Sequence, residues 1–322
     1  MAQPSASPDQ YFYAFEGDEA IFVAMDRAAY RRSIFLDHRI SPAAAGNTRV
    51  PVAVLEGPAA PAFATNWIFH VAHCGSTLLA RALEALGEPL VLREPLALRQ
   101  LGLAPDPARL KLALALLSRR YPGGRATLIK ANVPVNFLLG EIEAADPTAC
   151  AVLLYCQLED YLLAILRSAN HRAWLRGVTG QLADHLGDLG ELAQLSDGEL
   201  GAALWLAQMR RFAAAIGRMP NARSLDAERF FAEPRAALGA AAQLFQIPAS
   251  AAAITAVVAG PLFQTYSKNP ALAFDNSARL ARRAVLTGEL ADEIAAAQAW
   301  IERTAPEIGA TLAAISGVAL IG

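Results

Sequence analysis

Trp67-Ile68-Phe69-His70-Val71-Ala72-His73-Cys74-Gly75-Ser76-Thr77-Leu78-Leu79-Ala80-Arg81-Ala82-Leu83 is an apolar run that breaks at Cys-Gly-Ser-Thr and resumes with apolar residues at helical spacing. It reads as a strand, a tight turn and a helix. A turn of this kind points several backbone N–H groups and the positive end of a helix at one place, so it can hold an anion with little help from charged side chains. The stretch therefore predicts a phosphorylated ligand resting on His73, Cys74, Gly75, Ser76 and Thr77.

Working outward, similar units follow one another. PLVLRE, ATLIKA and ACAVLLYC read as strands, and STLLARALEAL, ARLKLALALLSRRY and VNFLLGEIEAA as the helices between them. Strands alternating with helices of ten or more residues imply parallel crossovers, so the predicted class is α/β, a doubly wound parallel sheet with helices on both faces. Beyond Glu159 the chain reads as mainly helical, with a helical insertion at about 160–215 and a last strand in ARSLDAERFF. Residues 1–62 differ: YFYAF, AIFVAM and SIFLDHRI are short strand-like runs, punctuated by SPAAAGNTRVP and GPAAPAFAT. The expected organisation is thus a small β-containing extension over 1–62 and one main domain over 63–322.

Composition narrows the function. With 54% hydrophobic residues in 322, the chain has enough apolar surface for one large core or two modest ones. Its 28 basic and 30 acidic residues leave a net charge of −2 with no basic block, which argues against nucleic acid as a partner. Apolar stretches end before the roughly 18–20 residues of a membrane span. The opening MAQPSASPDQYFYAF lacks the basic start and apolar core of an export signal, so a cytoplasmic location and no membrane are expected. Cys74, Cys150 and Cys156 are too few and too irregularly spaced for a disulfide framework or a zinc site.

A nucleoside triphosphatase loop would read G-x-x-x-x-G-K-[ST], its Lys reaching the terminal phosphates. Here His70 stands at the first Gly and Ser76 at the Lys, so the triphosphate clamp is missing. What remains, Ala72-His73-Cys74-Gly75-Ser76-Thr77-Leu78-Leu79, resembles the 5′-phosphosulfate loop of the bacterial sulfotransferase family, P-[RK]-S-G-T-T followed by an apolar helix. Arg93-Glu94-Pro95 resembles the acidic strand end that faces the acceptor there, and Leu128-Ile129-Lys130-Ala131-Asn132 the Lys-containing third strand. Ser224 to Pro234, followed by Leu244-Phe245-Gln246-Ile247-Pro248, is similar to the family's late strand, turn and helix.

The resemblance covers roughly residues 66–250 and implies a P-loop NTPase-like fold and a metal-free sulfotransferase. Such an enzyme moves a sulfuryl group from 3′-phosphoadenylyl sulfate to a hydroxyl or amine on a small-molecule or peptide acceptor. By that resemblance residues 73–77 hold the 5′-phosphosulfate, Lys130 aids the leaving group and Glu94 is the base. The family's Arg and Ser for the 3′-phosphate fall at Cys156 and Ala164, so Arg167, Ser168 and Lys268 stand in as candidates, with Arg279 behind them. Arg81 is a further basic residue on the loop's helix, and Asp37, His38 and Arg39 form a polar cluster in the extension. Two other readings use the same scaffold. One is an ATP-dependent kinase with Asp160 or Asp226 on magnesium, and the other a non-catalytic module that binds a nucleotide or a partner.

Overall fold

The computed structural model describes residues 7–55, 64–87 and 89–322. Its centre is a five-stranded parallel sheet of β4 (Thr65–His70), β5 (Val91–Arg93), β6 (Thr127–Lys130), β7 (Cys150–Tyr155) and β8 (Ala222–Asp226). Every residue of β4, β5 and β6 is buried. That is why these segments read as unbroken apolar runs, since a parallel sheet is covered by helices on both faces.

The strand order is β5-β6-β4-β7-β8, with every neighbouring pair parallel. The chain starts in the middle at β4, moves outward to β5, returns to β6, and then crosses to β7 and β8. This reversal puts a crevice at the carboxyl end of β4, where ligands of open α/β sheets bind. The register aligns Ile68 and Arg93 with Lys130, and His70 with Leu154. The loop after β4, Glu94 after β5 and Lys130 at the end of β6 therefore share one rim.

The helix Asp197–Ile216 opens with a reciprocal cap between Ser196 and Glu199 and buries Leu204, Trp205, Met209 and Phe212. The helical insertion expected at about 160–215 opens with two helices, Leu158–Leu166 and Ala169–Gln181, because the Ser168 side chain accepts from the His171 N–H and starts a new helix.

The amino-terminal residues form an antiparallel sheet of β1 (Gln10–Glu16), β2 (Glu19–Ala24) and β3 (Asn47–Pro51). The expectation of a strand in SIFLDHRI is corrected. Its backbone instead laces onto the main sheet, Leu36 N–H donating to Arg93 O at 2.7 Å and Leu96 N–H to Leu36 O at 3.3 Å. The third strand comes from the NTRVP that had read as punctuation; only its Val50 is buried, so it carries little apolar pattern. The join is polar and deep. Arg93 is 1% exposed, pairs with Glu84 at 2.8 Å and donates to the carbonyls of Tyr30, Arg31, Ser33 and Ile34. The proposed boundary at 62 and most of GPAAPAFAT lie outside the described residues.

Late in the chain a two-stranded hairpin, β9 (Thr265–Tyr266) and β10 (Asn269–Ala273), leads into the helix Asn276–Glu289, of which only Leu286 is buried. Among the described residues no helix is long and apolar enough to cross a membrane.

Candidate functional site

The loop after β4 turns through left-handed backbone at Ala72 (φ 74°), His73 (φ 52°) and Gly75 (φ 85°) before the helix Ser76–Leu86 begins. Two of these are not glycine, a costly arrangement that the surroundings must enforce. Gly75 is required twice over: its φ favours glycine, and a Cβ there would stand 2.9 Å from Phe231 and 3.2 Å from Phe230. The N–H groups of His73, Gly75 and Thr77 donate to no acceptor among the described residues. Thr77 is 2% exposed, yet its hydroxyl has no partner among the described residues. Unpaired donors at a helix N-terminus make this loop a cradle for an anion.

The floor of the crevice is His70, Lys130 and Glu94. Lys130, fully buried at 0% exposure, places its Nζ 2.5 Å from Glu94 Oε1 and 2.8 Å from His70 Nε2. Glu94 is left-handed at φ 56°, and its N–H donates to Lys130 O at 2.7 Å. Its second oxygen, Oε2, is 3.9 Å from Arg39, which in turn grips Asp37. His70 Nδ1 accepts the Ala72 N–H at 3.0 Å, so the ring proton is on Nε2, 2.8 Å from Ala131 O. Burial, and then the Lys130 charge, push the His70 pKa well down, so the ring is neutral. The two residues assigned catalytic roles from sequence are thus brought together as an ion pair. His70 was missed, although a polar residue closing an otherwise apolar strand is a signal.

The opposite wall is cationic. The His73 ring centre is 4.7 Å from that of His171 and 5.4 Å from that of Trp174. Arg167 donates to His171 Nε2 at 2.9 Å, and Ser168 Oγ lies 2.6 Å from its Nδ1. Burial lowers the His171 pKa to about 4, helped by the charges of Arg167, Lys268 and Arg282. His73 is pushed well below its usual value by burial, then by Lys268, His171 and Arg167. The charges that act on the two rings are all basic, although Glu94 acts on Lys268 itself. Lys268, on the turn of the β9–β10 hairpin, is open to solvent yet enclosed enough that burial lowers its pKa. Its Nζ is 5.8 Å from the ring centre of Phe35, which has the Lys130 Nζ at 5.7 Å. Phe35 and Arg282 belong to the site without having been singled out for it, because only the fold brings them near, whereas the resemblance sets His171 on the acceptor side or at a solvated helix end.

Other candidates are committed elsewhere. Arg81 donates to Ser267 O at 2.9 Å and tethers the hairpin. Arg279 pairs with both oxygens of Glu228, at 2.6 and 2.8 Å. Asp160 lies 2.7 Å from Arg283, with its pKa raised by burial to about 6, and Asp226 caps the helix Ala227–Ala232. His38 is a surface residue. Among the described residues no three His, Cys, Asp or Glu side chains are grouped to hold a metal ion. A cleft of about 320 Å³, lined by Arg27, Gly87, residues 122–125, Ile247 and Pro248, opens at the rim where the chain enters β5 and β6. Ligands of open parallel sheets bind at the other rim, where the cradle is.

Comparison of the chain with family models, with curated proteins and with solved structures finds no match.

Proposed function

We propose that the chain is a sulfotransferase-like enzyme on a P-loop NTPase-like sheet, with 3′-phosphoadenylyl sulfate as donor. One observation carries the reading: unpaired N–H groups and the Thr77 hydroxyl, without a partner among the described residues, lie beside Arg167, Arg282 and Lys268, of which Glu94 acts on Lys268. Such a place fits a ligand with more than one anionic group.

Residues 73–77 would hold the 5′-phosphosulfate, with Arg167, Ser168 and Lys268 around the 3′-phosphate. The donor supplies an activated sulfuryl group, and the chain's residues handle the charge and the proton. Lys130 fixes Glu94 through Oε1, which leaves Oε2 to take the proton from the acceptor hydroxyl or amine. The Lys130 ammonium, placed by the same contact, offsets charge on the leaving oxygen. Phe35, Asp37 and Arg39 would form the acceptor side.

A second reading, binding of a nucleotide without transfer, is favoured by the mutual neutralisation of Lys130 and Glu94 and by Cys156 and Ala164 at the family's Arg and Ser positions. A magnesium-dependent kinase is the weakest, since Asp160 and Asp226 are engaged with Arg283 and with a helix cap. Titration calorimetry with adenosine 3′,5′-bisphosphate tests the donor; absence of binding at millimolar ligand would sink it. Glu94→Gln then separates transfer from binding, because only transfer needs the carboxylate.

A further inference from the structure

Two fully buried amides stand behind the cradle and have no role in the chemistry above. Asn136, on the 3₁₀ helix Val133–Leu138, donates through Nδ2 to the His70 carbonyl oxygen at 2.9 Å and to Gln208 Oε1 at 2.8 Å. Gln208, on the helix Asp197–Ile216, donates through Nε2 to the Leu204 carbonyl oxygen at 3.1 Å. Both residues are 0% exposed. A backbone carbonyl at each end fixes the polarity: Gln208 must turn Nε2 to Leu204, Asn136 must turn Nδ2 to His70, and the two amides then meet donor to acceptor. A directed chain of hydrogen bonds thus runs from the backbone of that helix to the last carbonyl of β4.

That carbonyl depends on a side chain. β6 ends at Lys130, which pairs with Ile68, and the next N–H, of Ala131, is spent on Ile68 O at 2.9 Å. Among the described residues no backbone N–H beyond it donates to His70 O, so the Asn136 amide completes the ladder where β6 stops. Its segment is mounted tightly on the helix Leu96–Leu103, where a Cβ on Gly102 would stand 2.6 Å from the Pro134 carbonyl.

We propose that Asn136 and Gln208 are positioning residues for the loop that forms the cradle. They hold the peptide joining His70 to Val71, and so set the direction in which the chain enters the left-handed turn at Ala72 and His73. His70 is held from its ring as well, where Nδ1 accepts the Ala72 N–H at 3.0 Å and Nε2 lies 2.8 Å from Ala131 O. Left-handed residues other than glycine persist only where their surroundings over-determine them, and carbonyl and ring fixed together do so here. Stability gives no reason for these amides. Asn136 Oδ1 is buried with no partner among the described residues, a cost that an apolar pair of the same shape avoids. The effect on binding rests on the reading of residues 73–77 as the anion's site; the hold on the loop does not.

The test compares the wild-type protein with Asn136→Leu, Gln208→Met and Asn136→Leu/Gln208→Leu. It reads amide hydrogen exchange, affinity for adenosine 3′,5′-bisphosphate and the denaturant midpoint. In Asn136→Leu the Val71 and Ala72 amides, which donate to Leu154 O and His70 Nδ1, should exchange about ten-fold faster or more while those within β7 keep their rates. Bisphosphate affinity should fall about ten-fold or more, as expected when binding groups are misplaced by a fraction of an ångström. The double variant leaves fewer polar groups unpaired, so it should regain part of the midpoint but neither the affinity nor the slow exchange. An affinity that returns with the midpoint marks a merely structural pair and overturns the proposal. So does unchanged exchange at Val71 and Ala72, or an equal rise there and within β7. Gln208→Met keeps the bond to His70 and loses only its backing. It should give a smaller rise confined to Val71 and Ala72, and it decides the matter if the leucine variants do not fold, since no rise there overturns the proposal. If the wild-type protein binds no bisphosphate, a rise confined to Val71 and Ala72 overturns the cradle reading and upholds the hold on the loop.

Discussion

The floor of the site and its roof are built differently. In the floor, His70 and Lys130 end buried strands and Glu94 follows one, and the charges of Lys130 and Glu94 are settled between themselves at 2.5 Å. The roof, from the β9–β10 hairpin through the helix Asn276–Glu289, buries little and is tied down by Arg81, Arg279 and Arg283. Yet the roof brings in Lys268, on which Glu94 acts from the floor and which adds its charge to those of Arg167 and Arg282. Rigidity and charge are thus divided: the floor fixes geometry, and the roof and its neighbouring helix supply Lys268, Arg282 and Arg167, the charges that the proposed anion would meet.

The sharpest attempt to break this division is Glu94→Gln. It leaves a fully buried ammonium without its carboxylate and should cost about 3–5 kcal/mol in denaturant unfolding, with Glu94→Gln/Lys130→Met recovering most of the loss. A variant as stable as wild type would mean that the floor is not settled by this pair. Gly75→Ala follows, at about 1–3 kcal/mol, from its left-handed φ and the 2.9 Å approach to Phe231. It should also abolish bisphosphate binding.

The Asp160 carboxyl, with a folded-state pKa of about 6 against an ordinary 3.8, holds its proton where the unfolded chain has lost it. Its contribution is full below about pH 4 and lost as the pH rises through 6, on the order of 1–3 kcal/mol. Asp160→Asn should flatten the stability profile over that window. Lys268→Ala should change stability by less than about 0.5 kcal/mol but weaken bisphosphate binding about ten-fold. Were its main effect on stability, the roof would be structural. The smallest effect is protonic. A bound anion raises the His171 pKa from about 4, so protons are taken up on binding and affinity grows as the pH falls toward that value. Calorimetry in buffers of different ionisation heat measures this uptake.

Much of the floor was legible in the sequence because β4, β6 and β7 are buried on both faces and end in the residues that matter. Cys74 to Thr77, Glu94 and Lys130 could be located from strand ends alone. The roof was not legible in the same way. The hairpin carries no period, and the helix Asn276–Glu289 shows its apolar side chains Leu280 and Val285 to solvent. Arg279 looks like a ligand cation in sequence, and only the fold reveals Glu228 as its partner, while Arg81, which reads as a partner for a carboxylate, donates instead to the Ser267 carbonyl. Phe35 lay in a run that reads as a strand, and its place against Lys130 and Lys268 depends on contacts from a distant part of the chain.

Arg93 ties the amino-terminal sheet to the residue next to Glu94. Its guanidinium collects four carbonyls from residues 30–34, and its own carbonyl accepts from Leu36. A single peptide bond therefore separates the anchor of the whole amino-terminal unit from the carboxylate that pairs with Lys130. Anything that rocks that unit, whether a bound acceptor pressing on Phe35 or a substitution in β1, pulls directly on the Glu94 backbone. The amino-terminal sheet is a lever arm on the Glu94 carboxylate, and trimming it would strip a buried cation of most of its acceptors.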